Sequence, residues 1–302
     1  MRCASGAFTV TTLKVFCVRY LASLACLVTL VLPGWTLLVA QPLSTEALQG
    51  ARQEYERAVQ AVDRGQWTEY RELRPGLEQY PLSIYLDYYQ ITREPRKVST
   101  GSAQRFMDAS RDTPLYNRFL AHYLTQAGRQ RRWADFLAVK PDEPNSVELK
   151  CYYFRALLAS GDKLAAWEGA ERLWVHGKSR PKQCDPLLEA WLKAGEVCDE
   201  AVWARMLKAF DERQGSLLKY VARKGCDDLK PWTDKLLTVY RKPSRMRSTT
   251  LPRDSVYSAD IASHGLSYLA RYNPEQALDY WYSYQEEIEF STEQSNKVEY
   301  AI

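Results

Sequence analysis

Three histidines are the side chains best suited to proton exchange near neutral pH, namely His122, His176 and His264. They are far apart in the sequence, and none falls in a pattern that pairs it with a serine or cysteine nucleophile. Motifs of the types GxSxG, HExxH, GxxxxGKS/T and GxGxxG are absent from the sequence. We expect His176, just before Gly177 at a predicted helix end, to contact the terminal carbonyls. The sequence therefore predicts no catalytic residue and no cofactor site.

The compartment decides what the cysteines do, and residues 1–40 predict export. Arg2, Lys14 and Arg19 form a basic start, and an apolar run follows from residue 21 to residue 40. This is the order of a secretory signal peptide with cleavage after Ala40. The Pro-Gly pair at 33–34 breaks the run, which argues against a long membrane-spanning helix. A retained anchor is the alternative, but we expect localisation in a bacterial periplasm without stable membrane insertion.

Cleavage would leave four of the seven cysteines: Cys151, Cys184, Cys198 and Cys226. Thiols in an oxidising compartment favour disulfides, and three complete pairings are possible. No CxxC motif or Cys/His cluster is present, so the sequence predicts no metal site. Four buried free thiols are the alternative.

Composition excludes several classes of protein. The chain of 302 residues is 46% hydrophobic and 26% charged, which is typical of a globular protein and not of a disordered one. Without residues 1–40 the chain has 38 basic and 37 acidic residues, so its net charge is close to zero. The composition therefore predicts no nucleic-acid partner.

Apolar residues recur at helical spacing after residue 41. Within this region one pattern repeats, namely a glycine, a short polar stretch and then a tryptophan. Glycines at 128, 161 and 195 lie 33 and 34 residues apart, and Gly65 lies close to two periods earlier. This period is the length of one antiparallel helix pair in tetratricopeptide-type arrays. We predict an all-α fold, an α-α superhelix or TPR-like solenoid of helix hairpins. Each glycine should end a helix and a tryptophan should open the next.

The clearest hairpin spans residues 147–175, with a turn at Gly161 and Asp162 as the cap of its second helix. Tryptophans in such units are predicted to be core residues. The basic, proline-containing stretch 239–255 is predicted to be a loop, and helices are predicted from Val256, from Asn273 and near Ser291. The last segment stops on apolar residues, so we expect an open apolar face and a domain, 41–302, that is incomplete at its C-terminal end.

Several segments resemble the soluble lytic murein transglycosylase family. They are Tyr-Pro-Leu and Tyr-Leu-Asp-Tyr within 80–88, Trp-Ala-Asp-Phe-Leu at 133–137, and Cys-Tyr-Tyr at 151–153. The Gly-Lys-Ser segment at 177–179 and Cys-Asp at 184–185 follow in register. The resemblance covers residues 45–215 well. In that family these segments belong to the N-terminal superhelical U domain.

The resemblance implies a disulfide between Cys151 and Cys184 and leaves Cys198 and Cys226 open. It also implies a reaction, the cleavage of MurNAc–GlcNAc bonds in peptidoglycan with formation of a 1,6-anhydro ring. A lysozyme-like C-terminal domain carries that chemistry on a glutamate in a Glu-Ser-x-x-x-Pro segment, ahead of Gly-Leu-Met-Gln. Neither segment is present. We therefore expect the chain to be the superhelical part of such an enzyme and to be inactive by itself. In the family, the catalytic domain that is missing here contacts the glycan strands. The alternative is a stand-alone periplasmic module that binds other proteins.

Overall fold

The computed structural model describes residues 45–93 and 98–302. The predicted signal peptide, its cleavage site and the three cysteines at 3, 17 and 26 lie outside the described residues. Residues Thr45–Ile302 form one compact unit. No helix in the described ranges is both long and apolar enough to cross a membrane.

The described residues form fifteen α-helices and no β-strand, which confirms the all-α prediction. The helices are α1 Thr45–Asp63, α2 Trp67–Leu73, α3 Ser83–Arg93, α4 Thr100–Ala109, α5 Leu115–Arg129, α6 Trp133–Val139, α7 Val147–Ser160, α8 Lys163–Trp174, α9 Asp185–Lys193, α10 Asp199–Asp211, α11 Gly215–Ala222, α12 Lys230–Arg241, α13 Val256–Leu269, α14 Pro274–Glu287 and α15 Thr292–Ala301. Short 3-10 helices cover Arg74–Leu77, Lys182–Cys184 and Pro243–Ser248.

The buried side chains form successive clusters along the chain. One cluster lies within residues 58–86, the next within 103–152, and the largest within 151–298. The second and third meet in α7, where Cys151 belongs to one and Tyr152 to the other. A single hairpin cannot cover its own apolar face, so each is stabilised by its neighbours.

The predicted glycine turns are confirmed at three positions. Gly65, Gly161 and Gly195 have φ values of 70°, 97° and 72°, a conformation that glycine adopts without steric cost. The fourth predicted turn is present between α5 and α6, but its left-handed residue is not the glycine. Gly128 lies inside α5, and Arg131 takes the positive φ of 55°. Gly128 serves packing instead, because a Cβ there would lie 2.3 Å from the ring of Tyr152.

The tryptophan rule is only partly correct. Trp67 and Trp133 open α2 and α6, but Trp167 and Trp203 lie one turn inside α8 and α10. Those two helices begin instead at a side-chain cap. Asp162 accepts from the backbone N–H of Ala165 at 3.2 Å in α8, and the Cys198 sulfur accepts from that of Ala201 at 3.4 Å in α10.

The basic stretch 239–255 is not simply a loop, and this corrects the prediction. Helix α12 continues to Arg241, and the 3-10 helix Pro243–Ser248 places Met246 in the large core. A Cβ on Gly265 would lie 2.6 Å from Met246 Sδ, so the segment packs closely on α13. Arg247 pairs with Glu287 at 3.0 Å.

The helices predicted from Val256, Asn273 and near Ser291 are present as α13, α14 and α15. Ser291 forms a capping box with Gln294 at the start of α15. The predicted open apolar face is only partly present. Val298 is buried, whereas Tyr300 is 97% exposed.

Candidate functional site

The hairpin of α7 and α8 lies in the region that resembles a known family, and its two helices pack closely together. Ala156, Ala166 and Ala170 are fully buried between the helices. A Cβ on Gly169 would lie 2.3 Å from the ring of Phe154. The absence of side-chain bulk at these positions lets the two helices approach each other closely.

A disulfide links this hairpin to the next helix in the structure. Cys151 in α7 is bonded to Cys184, directly before α9, with a Cα–Cα distance of 4.8 Å. Both cysteines are fully buried. The bond encloses α8 and the loop at residues 175–181, so it restricts how far this loop can move.

The enclosed loop packs against the end of α10. A Cβ on Gly177 would lie 2.6 Å from the carbonyl oxygen of Lys208, so only glycine fits without displacing backbone. Next to it, Lys178 pairs with Glu212 at 3.1 Å. The backbone N–H of His176 donates to the carbonyl of Trp174, the last residue of α8, at 2.7 Å, whereas the His176 ring accepts from the backbone N–H of Lys178 at 3.1 Å. The predicted contact with a terminal carbonyl is therefore made by the backbone of His176 and not by its imidazole.

A cavity of about 390 Å³ lies beside this loop, and Trp174, Ser179, Arg180 and Arg205 are among its lining residues. Arg205 is 3% exposed, and its guanidinium carbon stands 3.9 Å from the centroid of the Trp174 ring. Nε and Nη1 of Arg205 have no hydrogen-bond partner, and neither does Nε1 of Trp174. Burial lowers the pKa of Arg205 to about 10; Tyr220 acts in the opposite direction, and the positive charge of Arg180 adds to the lowering.

A second polar cluster joins residues that are distant in sequence. Asp211 at the end of α10 lies 2.7 Å from His264 Nδ1 and 2.7 Å from Lys297 Nζ. His264 is in α13 and Lys297 in α15, so the cluster ties three helices together. Sequence reasoning treated His264 as isolated. No signal in the sequence pointed to this contact, because the partners are separated by 53 and 33 residues.

The cluster stabilises the fold and does not have the features of a glycosidase acid. Burial raises the pKa of Asp211, but the hydrogen bonds and charges of His264 and Lys297 outweigh it, so the pKa is lowered overall. A general acid for a glycosidic oxygen needs the opposite shift. The nearby Ser267 hydroxyl donates to the carbonyl of Ser263 at 2.7 Å and is not directed at His264.

Cys198 and Cys226 are free and exposed in the structure. The Cys198 sulfur accepts from the backbone N–H of Ala201 at 3.4 Å and so caps α10. The Cys226 thiol donates to the carboxylate of Asp199. Across the described ranges, no three His, Cys, Asp or Glu side chains are grouped as metal ligands would be.

Known proteins share this arrangement of helices. A soluble lytic murein transglycosylase from Escherichia coli K12 is 27% identical over 262 residues, which are 86% of this chain and 39% of the relative. Crystal structures show the same. The 70 kDa soluble lytic transglycosylase of E. coli matches with a TM-score of 0.69 at 25% identity, over 83% of this chain and 41% of that one. An inactive mutant of the Pseudomonas aeruginosa enzyme Slt matches with a TM-score of 0.68 at 28% identity, over 81% and 40%.

The resemblance to soluble lytic murein transglycosylases is confirmed. The predicted α-α superhelix is confirmed with it. No protein-family model matches the chain. The chain spans about two fifths of the length of the lytic transglycosylases that it matches, 39% for the E. coli relative.

Proposed function

We propose that residues 41–302 act as the non-catalytic superhelical part of a periplasmic lytic murein transglycosylase. The observation that carries this proposal is a match of helix order and sequence over more than four fifths of the chain. In this function the stacked helices support a domain that cleaves glycan strands and help it to engage them. The chain itself does not break bonds.

Two features of the chain support a non-catalytic role. The sequence contains neither the Glu-Ser-x-x-x-Pro segment nor the Gly-Leu-Met-Gln segment that carries the family's chemistry. Among the described residues, the two carboxyl groups with shifted pKa values are Glu143 and Asp211, and both values are lowered although burial opposes the shift in each case. Lys150 and Arg172 stabilise the ionised form of Glu143, and His264 and Lys297 stabilise that of Asp211. Such groups are poor proton donors to a leaving oxygen near neutral pH.

Peptidoglycan sacculi digested with the purified chain test this proposal. We expect no 1,6-anhydro muropeptides above the background of a heat-treated sample when the products are separated and weighed by mass spectrometry. The E. coli relative, run in parallel, is the positive control. Anhydro products that increase with the amount of this chain would contradict the proposal.

The supporting role needs its own test, since an inert protein would also give no products. We expect the chain to bind the isolated lysozyme-like domain of the E. coli relative in sedimentation-velocity runs of the mixture. Failure to bind this domain, combined with capture of unrelated periplasmic proteins, would favour the stand-alone interaction module.

A further inference from the structure

We propose that the cavity beside Trp174 binds a ligand through a single carboxylate group, with Arg205 as its main partner. This inference does not rest on the proposed function. It rests on the buried guanidinium of Arg205, whose Nε and Nη1 have no hydrogen-bond partner.

Arg205 lacks a partner of the kind that a buried arginine usually has. It is 3% exposed, and no ion pair or hydrogen bond satisfies its Nε or Nη1. Stacking on Trp174 at 3.9 Å compensates for part of the lost hydration. An unpaired guanidinium at such a depth still destabilises a fold, because its hydration is lost without a counter-charge. Because burying Arg205 destabilises the fold, we expect this side chain to have a binding role.

Arg205 is one of the residues that line the cavity, and further polar side chains line it too. Ser179 and Ser216 contribute hydroxyl groups, and Arg180 contributes a second guanidinium. Arg180 Nε already donates to the carbonyl of Leu173 at 2.8 Å, so Arg205 is the less occupied of the two. The planar guanidinium fork matches a carboxylate, to which it can donate two hydrogen bonds.

The charges of the lining favour a monovalent carboxylate over phosphate. Asp185 and Glu189 line the same cavity as Arg180 and Arg205. The lining therefore carries two negative and two positive charges. A phosphate group, with a charge of about −1.5 to −2, would be repelled by these carboxylates. A carboxylate with one charge is neutralised by Arg205 alone.

The frame around the cavity is rigid enough for a binding site. Trp174 ends α8, and Asp185 directly follows the bonded Cys184. The ring of Trp174 is packed edge-on against Trp191, with ring centroids 5.8 Å apart. The site is therefore organised before the ligand arrives, which reduces the entropy cost of binding.

Titration of the 15N-labelled chain with three probes tests the proposal. Binding is measured by NMR as a shift of the indole N–H signal of Trp174. That signal is assigned with the variant Trp174→Phe. N-acetylalanine carries a carboxylate, alanine amide lacks one, and inorganic phosphate is the competing anion. We expect a saturable shift with N-acetylalanine at millimolar concentration, none with alanine amide, and weaker binding of phosphate. No saturable shift with N-acetylalanine, or tighter binding of phosphate, would overturn the proposal.

Variants at Arg205 separate a binding role from a structural one. Arg205→Met keeps the length of the side chain and removes the unpaired charge, so we expect binding at least tenfold weaker with an unchanged or higher melting temperature. Arg205→Lys should retain part of the binding, and Arg223→Met, on the exposed surface, should change nothing. A lower melting temperature for Arg205→Met with unchanged affinity would show a structural arginine and contradict the proposal.

Discussion

The hairpin of α7 and α8 and the three last helices are held together in different ways. The two helices of the hairpin approach closely at alanines and at Gly169, and a disulfide bonds Cys151 in α7 to Cys184, directly before α9. Helices α13 and α15 share the large apolar core, and in addition they meet α10 through Asp211, His264 and Lys297, whose charges lie partly in solvent. The comparison shows that close packing of small residues, and not ion pairing, should dominate the stability of this chain.

The largest expected effect comes from the disulfide. Replacing both cysteines by Cys151→Ala and Cys184→Ala should lower the free energy of unfolding by roughly 3–4 kcal/mol, because a closed loop of this length restricts the unfolded chain. Urea unfolding of the oxidised protein measures it. The matched control is the pair Cys198→Ala and Cys226→Ala, which should have a much smaller effect. Equal losses for the two pairs would contradict the stabilising role assigned to the Cys151–Cys184 bond.

The next effect is at the helix contact itself. Gly169→Ala places a methyl group against Phe154, and we expect a loss of about 1–3 kcal/mol from overpacking. Gly50→Ala is the control, since no atom lies within 4 Å of its added Cβ. That change should raise stability by about 0.5–1 kcal/mol, because alanine favours the helix. A neutral result at Gly169 would mean that the two helices are further apart than described.

The helix caps sharpen the comparison. Ser146 caps α7, and Ser291 caps α15. Changing either serine to alanine should cost about 1 kcal/mol. We expect the loss at Ser146 to appear in global unfolding, whereas the loss at Ser291 should appear mainly as faster amide exchange in α15. The same exchange response at both sites would show that the last helices are as strongly coupled as the hairpin.

The smallest effect is expected at the charge cluster. Asp211→Asn should cost about 0.5–1 kcal/mol near neutral pH, since the contact is partly exposed. The folded-state pKa of Asp211 lies below its ordinary value of 3.8, so this contribution is full well above that pH and is lost as the pH falls through the folded pKa. Melting curves of both proteins should therefore converge on acidification. A difference that grows on acidification would contradict the assigned direction.

Local features of the fold could be predicted from the sequence, and distant contacts could not. Gly161 and Asp162 mark a turn and a cap by their own chemistry, and the 33- to 34-residue spacing indicates the repeat. Gly128 misled the prediction because its role depends on Tyr152, which lies in the following hairpin. The charge cluster and the pairing of Arg205 with Trp174 likewise depend on side chains brought together only by the stacking of helices. In the sequence alone, nothing distinguishes Arg205 from an ordinary surface arginine, although the structure shows that it is buried.

The central claim is that the hairpins stack in the order shared with the lytic transglycosylases, which brings Cys151 and Cys184 together. Peptide mapping of the oxidised chain without reduction tests this claim most directly. The account predicts one linked peptide pair that contains Cys151 and Cys184, with Cys198 and Cys226 recovered as free thiols. A linkage of Cys184 to Cys198 or Cys226, or a free thiol at Cys151, would contradict it.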